Sequence, residues 1–299
     1  MVASLEDKFV GCLLGLALGD ALGASHEGGI VARSAWRVLG IGKGKTLRWT
    51  DDTEMAIVLA RSLTEHRGLA VDALARAWAE KADWKRGYGE GAMRLLARIR
   101  AGEDWRMANR SVFPTGSYGN GAAMRAAPLG LWFHRDPAQL TEAATLASSI
   151  THAHPLGIEG GVLIARATAM AIAGDLDLGA LRDGCREAEF RVRLDAARTP
   201  MDSATAITSL GNAVVAHESA VTAVHAAARF AEFVPMIDWV ISLGGDTDTI
   251  GAMAGAIFGA RHGIGALPSA ALKHLEECPS IRSVARELFA TNVAAFGEA

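Results

Sequence analysis

The chain has 299 residues, 50% of them hydrophobic and 21% charged, with a formal net charge of −3. That balance suits a globular chain with one large core or two modest ones, and it excludes the basic footprint of a nucleic-acid binder. The three cysteines, Cys12, Cys185 and Cys278, form no CxxC pair. They read as free thiols of a reducing, cytoplasmic compartment, not as a disulfide frame or a zinc site.

Helical periodicity recurs from end to end. Ser4 can cap a first helix over 5–19, with Asp7 in a capping-box position. The apolar run 10–18 has the length of a signal-peptide core, but Glu6 and Asp7 precede it in place of basic residues and Asp20 ends it, so no targeting segment is expected. Further helices are predicted near 53–66, 70–82, 90–101, 121–134, 138–150, 157–173, 178–190, 204–216, 219–232, 250–262, 267–276 and 280–295. Asp136-Pro137 is a start signal, a cap followed by Pro at the first helical position. Segments 24–49 and 103–120 are the least regular. No useful strand alternation occurs, no run reaches the ~18 apolar residues of a membrane span, and no low-complexity linker divides the chain. The expected fold is all-α, one compact domain over residues 1–299, an orthogonal bundle of about a dozen helices.

Glycines recur every fourth residue in two places, at Gly11, Gly15, Gly19 and Gly23 and at Gly251, Gly255, Gly259 and Gly263. A helix-interior glycine costs up to about 1 kcal/mol relative to Ala, so close approach of two backbones should compensate. We expect the two helices to lie at the centre and cross near their ladders. That crossing would draw residues near 20–52 towards 246–249.

Those two regions carry the most informative residues. Thr50-Asp51-Asp52-Thr53 and Gly244-Gly-Asp246-Thr-Asp248-Thr249 each place two carboxylates and two hydroxyls in four residues, ahead of an apolar helical run. One reading is helix capping, which needs one acid per helix. The other is a shared site for hard divalent cations, because four carboxylates with hydroxyls form an all-oxygen donor set suited to magnesium or manganese.

Other candidates have a bland and a functional reading each. Glu27 in Ser25-His-Glu-Gly-Gly is a solvated loop carboxylate or an acid/base group. The Gly-rich stretch 116–121 before an apolar helix is an ordinary turn or a set of free N–H groups for phosphate oxygens. His152 and His154 in His-x-His-Pro lack the further ligands of a zinc site and read as structural. Gly40-Ile-Gly-Lys-Gly-Lys45-Thr46 fails the P-loop spacing because Leu39 occupies its first Gly position. Lys43, Lys45 and Arg48 then make a solvated basic loop.

Taken together, Gly19-Asp20-Ala-Leu-Gly23 with Glu27, Thr50-Asp51-Asp52-Thr53, Gly116-Ser-Tyr-Gly-Asn120-Gly-Ala-Ala-Met124-Arg125, Thr151-His152, and Gly244-Gly-Asp246-Thr-Asp248-Thr249 resemble, in order, the motifs of the ADP-ribosylglycohydrolase family. The resemblance implies a compact all-α domain with a central binuclear magnesium or manganese centre. It assigns Thr50, Asp51, Asp52, Asp246, Asp248 and Thr249 as metal ligands, with Asp248 bridging the two ions. Glu27 becomes the catalytic acid/base beside Asp248. The segment from Gly116 holds diphosphate and adenosine, with Ser117, Gly119 and Asn120 as contacts and Tyr118 and Phe113 as adenine stackers. His152 contacts phosphate or ribose, and Met124 and Arg125 support the loop without touching ligand.

Arg86-Gly-Tyr88-Gly resembles the serine-type branch, with Gly87 or Tyr88 where arginine-type members carry an Asp near the ligand. The resemblance thus implies hydrolysis of an O-linked ADP-ribosyl bond, on serine, in poly-ADP-ribose or in O-acetyl-ADP-ribose, with an ADP-ribosylated protein or a small ADP-ribosyl ester as substrate. Cleavage from arginine and non-hydrolytic ADP-ribose binding are the alternatives. A monomer with no nucleic-acid or membrane partner is expected.

Overall fold

Ser4 opens the first helix as anticipated: its hydroxyl accepts from the Asp7 N–H, and the Asp7 carboxylate accepts from the Ser4 N–H. The computed structural model describes residues 3–26 and 46–297. In chain order its α-helices are α1 Leu5–Ala24, α2 Asp51–His66, α3 Val71–Lys81, α4 Glu90–Arg100, α5 Trp105–Val112, α6 Ala127–Trp132, α7 Pro137–Ser149 and α8 Pro155–Ala173, followed by α9 Leu178–Asp183, α10 Ala188–Ala197, α11 Ser203–Ser209, α12 Ala216–Arg229, α13 Phe233–Leu243, α14 Thr247–His262, α15 Ser269–Leu272 and α16 Cys278–Phe296. Short 3₁₀ turns lie at Trp84–Arg86, Asn120–Ala122 and Ile264–Ala266. Among the described residues there are two isolated β-bridges and no strand.

The fold is therefore all-α, with sixteen α-helices among the described residues where about a dozen were expected. The excess has local causes. Asp104 caps α5 through the Arg106 N–H inside a stretch read as irregular. α13 is apolar around much of its circumference, so it offers no polar face for a periodicity argument. The helix expected over 178–190 breaks at Gly184, and the one over 121–134 is a 3₁₀ turn followed by the shorter α6.

α8 carries Glu159 and Arg166 and so is no unbroken apolar run, but by length and composition it is apolar enough to span a membrane, with mean hydropathy 1.5. In this fold 67% of that stretch is buried inside the protein, against α6, α7, α12 and α14.

The glycine ladders explain the centre. α1 and α14 run antiparallel, and the ladders face one another in constant register: Gly11 with Gly259, Gly15 with Gly255, Gly19 with Gly251. A Cβ at Gly15 would lie 2.2 Å from the Gly255 carbonyl oxygen, and one at Gly255 would lie 2.1 Å from that of Gly15. The helices thus do more than cross: they stay in backbone contact for about 18 Å, twelve residues at the helical rise. Gly23 closes the seam against Thr247 and Asp248, where an added Cβ would lie 2.6 Å from the Asp248 Cα. The end of α1 is thereby fixed beside the start of α14.

Candidate active site

The first acidic cluster is positioned from α1. Asp20 is buried between Gly19 and Gly23, and its carboxylate accepts from the Thr50 N–H (2.9 Å), the Thr53 N–H (3.2 Å) and the Thr53 hydroxyl (2.5 Å). Burial pushes the Asp20 carboxyl up to about 6 against the pull of these bonds. Thr50 caps α2 by accepting from the Asp52 N–H. The strand-like approach to Thr50 is tied down separately. Leu47 exchanges backbone hydrogen bonds with His274 and Glu276, and Arg86 lies 3.6 Å from the Trp49 ring while forking onto the Glu276 carboxylate. Arg48 of the expected basic loop pairs with that same Glu276. Gly40, Lys43 and Lys45 lie outside the described residues, as does Glu27.

The second cluster starts α14 after a turn that needs glycine. Gly244 and Gly245 have φ of +63° and +71°, and a Cβ on Gly245 would lie 2.2 Å from the Asn212 carbonyl oxygen. The Asp246 N–H donates to that same carbonyl at 2.9 Å. Asp246 stands at the N-cap position but makes no side-chain cap. Its carboxylate instead accepts from the Asn120 amide, which also donates to the Ser219 hydroxyl. Asp248 accepts from the Thr249 N–H at 2.8 Å. Capping therefore accounts for Thr50 but not for the acids.

All six oxygen-donor residues, Thr50, Asp51, Asp52, Asp246, Asp248 and Thr249, line one cavity of ≈ 400 Å³. The same cavity is lined by Phe113, Ser117, Gly119, Asn120 and His152, with Asn120 directly bonded to Asp246. Three other candidates do not line it. Gly116 is a buried turn residue, φ +84°, packed on the His154 backbone. Tyr118 is 50% exposed and meets the His154 ring edge-on. The Tyr88 hydroxyl donates to Glu54 at 2.7 Å, and burial with the facing Glu54 charge raises its pKa; Gly87 lines the cavity in its place. His154, unassigned by sequence, accepts from the Leu156 N–H as the cap of α8.

Met124 and Arg125 were expected only to support the loop, yet both line the cavity. Arg125 is 3% exposed, lies 3.8 Å from the Trp78 ring, and donates to Met55 Sδ and to the Thr151 hydroxyl. Sequence reasoning placed Asp20 and Thr151 in motifs but gave neither a role. A signal for Asp20 and Arg125 existed: each is a charge inside an apolar, glycine-bearing stretch, and a buried charge demands partners.

The acidic wall fits a hard cation. Asp52 Oδ2 is buried without a hydrogen-bond partner. Burial, then repulsion from Asp20, Asp51 and Asp246, drives the Asp52 carboxyl well above the usual carboxylate range, and burial also raises Asp246. Among the described residues no three acidic, histidine or cysteine side chains form a ready-made ligand group. Magnesium held by one or two carboxylates, with hydroxyls and waters completing the shell, does not need one.

Comparison with known proteins agrees with this geometry. The ADP-ribosylglycohydrolase family model matches residues 1–295. An ADP-ribosylhydrolase ARH3 of Xenopus tropicalis is 32% identical, covering 90% of this chain and 91% of its own length. The Homo sapiens ARH3 is 31% identical over 87% of each chain. A solved structure titled ADP-ribosylglycohydrolase-related protein complex superposes with a TM-score of 0.74 at 26% identity, covering 96% of this chain and 99% of that one.

Proposed function

The chain is a glycohydrolase of the ADP-ribosylglycohydrolase family, and on that premise we propose that it hydrolyses the O-glycosidic bond between the distal ribose of ADP-ribose and a serine side chain or an acyl group, with divalent cations bound. The observation that carries the reading is the cavity itself: two acidic clusters about two hundred residues apart in sequence line one space together with Gly119, Asn120, Gly121 and His152. Thr50, Asp51, Asp52, Asp246, Asp248 and Thr249 would hold two magnesium or manganese ions. Bound there, such ions would orient ribose hydroxyls and lower the pKa of a water.

The chain's own groups have separate tasks. Asn120 and the Thr249 N–H fix the Asp246 and Asp248 carboxylates. The 117–120 wall receives the diphosphate and adenosine, with Phe113 packed on Gly91 as an apolar boundary. Glu27 takes a proton from the attacking water and returns it to the leaving oxygen as the anomeric carbon–oxygen bond breaks. The O-linked preference draws on Gly87: a Cβ there would lie 3.7 Å from Asp51 Oδ1, so an aspartate at this place would set a fifth carboxylate against the acidic wall.

Serine-linked and arginine-linked ADP-ribosyl peptides offered in parallel test the proposal. Release of free ADP-ribose from the serine-linked peptide alone is expected. Preferential release from the arginine-linked peptide would overturn the linkage assignment.

A further inference from the structure

We propose that Arg125 and Thr151 are positioning residues that lock His152 with its ring proton on Nε2, so that the imidazole presents one N–H donor to an oxygen of the ADP-ribosyl ligand. The inference rests on the proposed use of the cavity. Its argument is donor and acceptor bookkeeping. A guanidinium only donates, and Arg125 Nη2 donates to Thr151 Oγ1 at 2.5 Å. The same hydroxyl lies 2.7 Å from His152 Nδ1. With one lone pair taken by Arg125, the hydroxyl keeps its hydrogen free for Nδ1, and in the arrangement that uses it Nδ1 is bare. A proton on Nδ1 would instead aim two N–H donors at one hydroxyl and send its hydrogen in search of another acceptor.

The anchor of this relay is rigid. Arg125 is held over the fully buried Trp78, whose indole N–H donates to the Met55 carbonyl, while Arg125 Nη1 donates to the Met55 sulfur. The His152 ring is wedged between glycines. A Cβ on Gly157 would lie 2.9 Å from His152 Cδ2, and one on Gly121 would lie 3.2 Å from Cε1 and 3.5 Å from Nε2. Gly119 and Gly121 border the cavity, so the Nε2 edge faces the wall assigned to the ligand. Burial, then the Arg125 charge, lowers the imidazole pKa to about 3, in keeping with a neutral ring.

The test is a long-range ¹H–¹⁵N correlation spectrum of the full chain labelled at histidine, with His152 identified by the signal lost in His152→Gln. The expected result is a bare Nδ1 and a protonated Nε2 whose signal shifts on adding free ADP-ribose. Thr151→Val should release the tautomer and weaken ADP-ribose binding about tenfold, the scale of one hydrogen bond. Thr151→Ser should restore both, which a merely structural hydroxyl would not require. An Nδ1-protonated ring in the wild type overturns the relay whatever the variants do, even if serine-linked ADP-ribose is hydrolysed. A Thr151→Val protein with unchanged tautomer and affinity also overturns it. An Nε2-protonated ring that millimolar ADP-ribose leaves unmoved removes the assigned ligand, and with it the ADP-ribosyl reading of the cavity.

Discussion

Along the middle of α1 and α14, Gly15 and Gly255 bring two backbones together with no charge between them, whereas a turn or two further on the same helices carry the buried carboxylates of Asp20 and Asp248. The glycine seam is close packing at its limit, where any side chain is excluded. The acidic end sets Asp51, Asp52, Asp246 and Asp248 around one cavity, a placement that burial and mutual repulsion oppose. The difference teaches where the fold spends its stability: backbone contact fixed over several turns holds in place a cluster that would otherwise spread apart.

The comparison breaks most drastically in the seam. Gly255→Leu or Gly15→Leu should cost more than about 4 kcal/mol, because the added atoms meet helix backbone that has nowhere to move. A thermal melt of each variant reads this, and a midpoint within a few degrees of the wild type would contradict it. At the acidic end the same severity should fall on activity. Glu27→Gln is expected to lower turnover about 10²–10⁴-fold, the usual scale for a lost acid/base, while ADP-ribose binding persists. Steady-state kinetics beside calorimetric titration separate the two, and near-normal turnover would remove Glu27 from the chemistry.

Asp52→Asn sharpens the contrast, because its two effects have opposite sign. Without divalent ions it should raise stability by about 1–2 kcal/mol, relieving a buried carboxylate repelled by its neighbours. It should also shrink the rise in melting temperature that magnesium or manganese produces. Destabilisation in EDTA would show that repulsion is not what this wall contains.

The smallest effect concerns pH. His152 is depressed to about 3 in the folded protein, against about 6.5 when unfolded. Between those values the unfolded chain takes up a proton that the native ring refuses, so the contribution of His152 to stability declines as pH falls from about 6.5 towards 3. The midpoint difference between wild type and His152→Gln, measured without metal, should narrow from pH 7 to pH 4. A constant difference would place the proton elsewhere.

How much of this was legible in the sequence follows the same division. Glycines at i+4 inside helical runs carry a cost that only backbone contact repays, so the α1–α14 pairing could be read, though not its length or its antiparallel register. The two acidic clusters were legible because capping explains one acid per helix and each has two. α13 was hidden by its nearly uniform apolarity, and α5 by its short, polar sequence. The Arg125–Thr151–His152 relay was not legible, since Arg125 and Thr151 are 26 residues apart and meet only through the packing of Trp78 and Met55. Tyr88 drew attention by its motif, yet the backbone turns Gly87 to the cavity and Tyr88 to Glu54.

The central claim is that the acidic clusters act as one metal-dependent hydrolytic centre. Its most direct test follows free ADP-ribose released from a serine-linked peptide by the wild type with magnesium, after EDTA, after magnesium is restored, and by Asp248→Asn with magnesium. The account predicts release that EDTA abolishes, that added magnesium restores, and that Asp248→Asn lacks. Release unchanged by both EDTA and the substitution would contradict it.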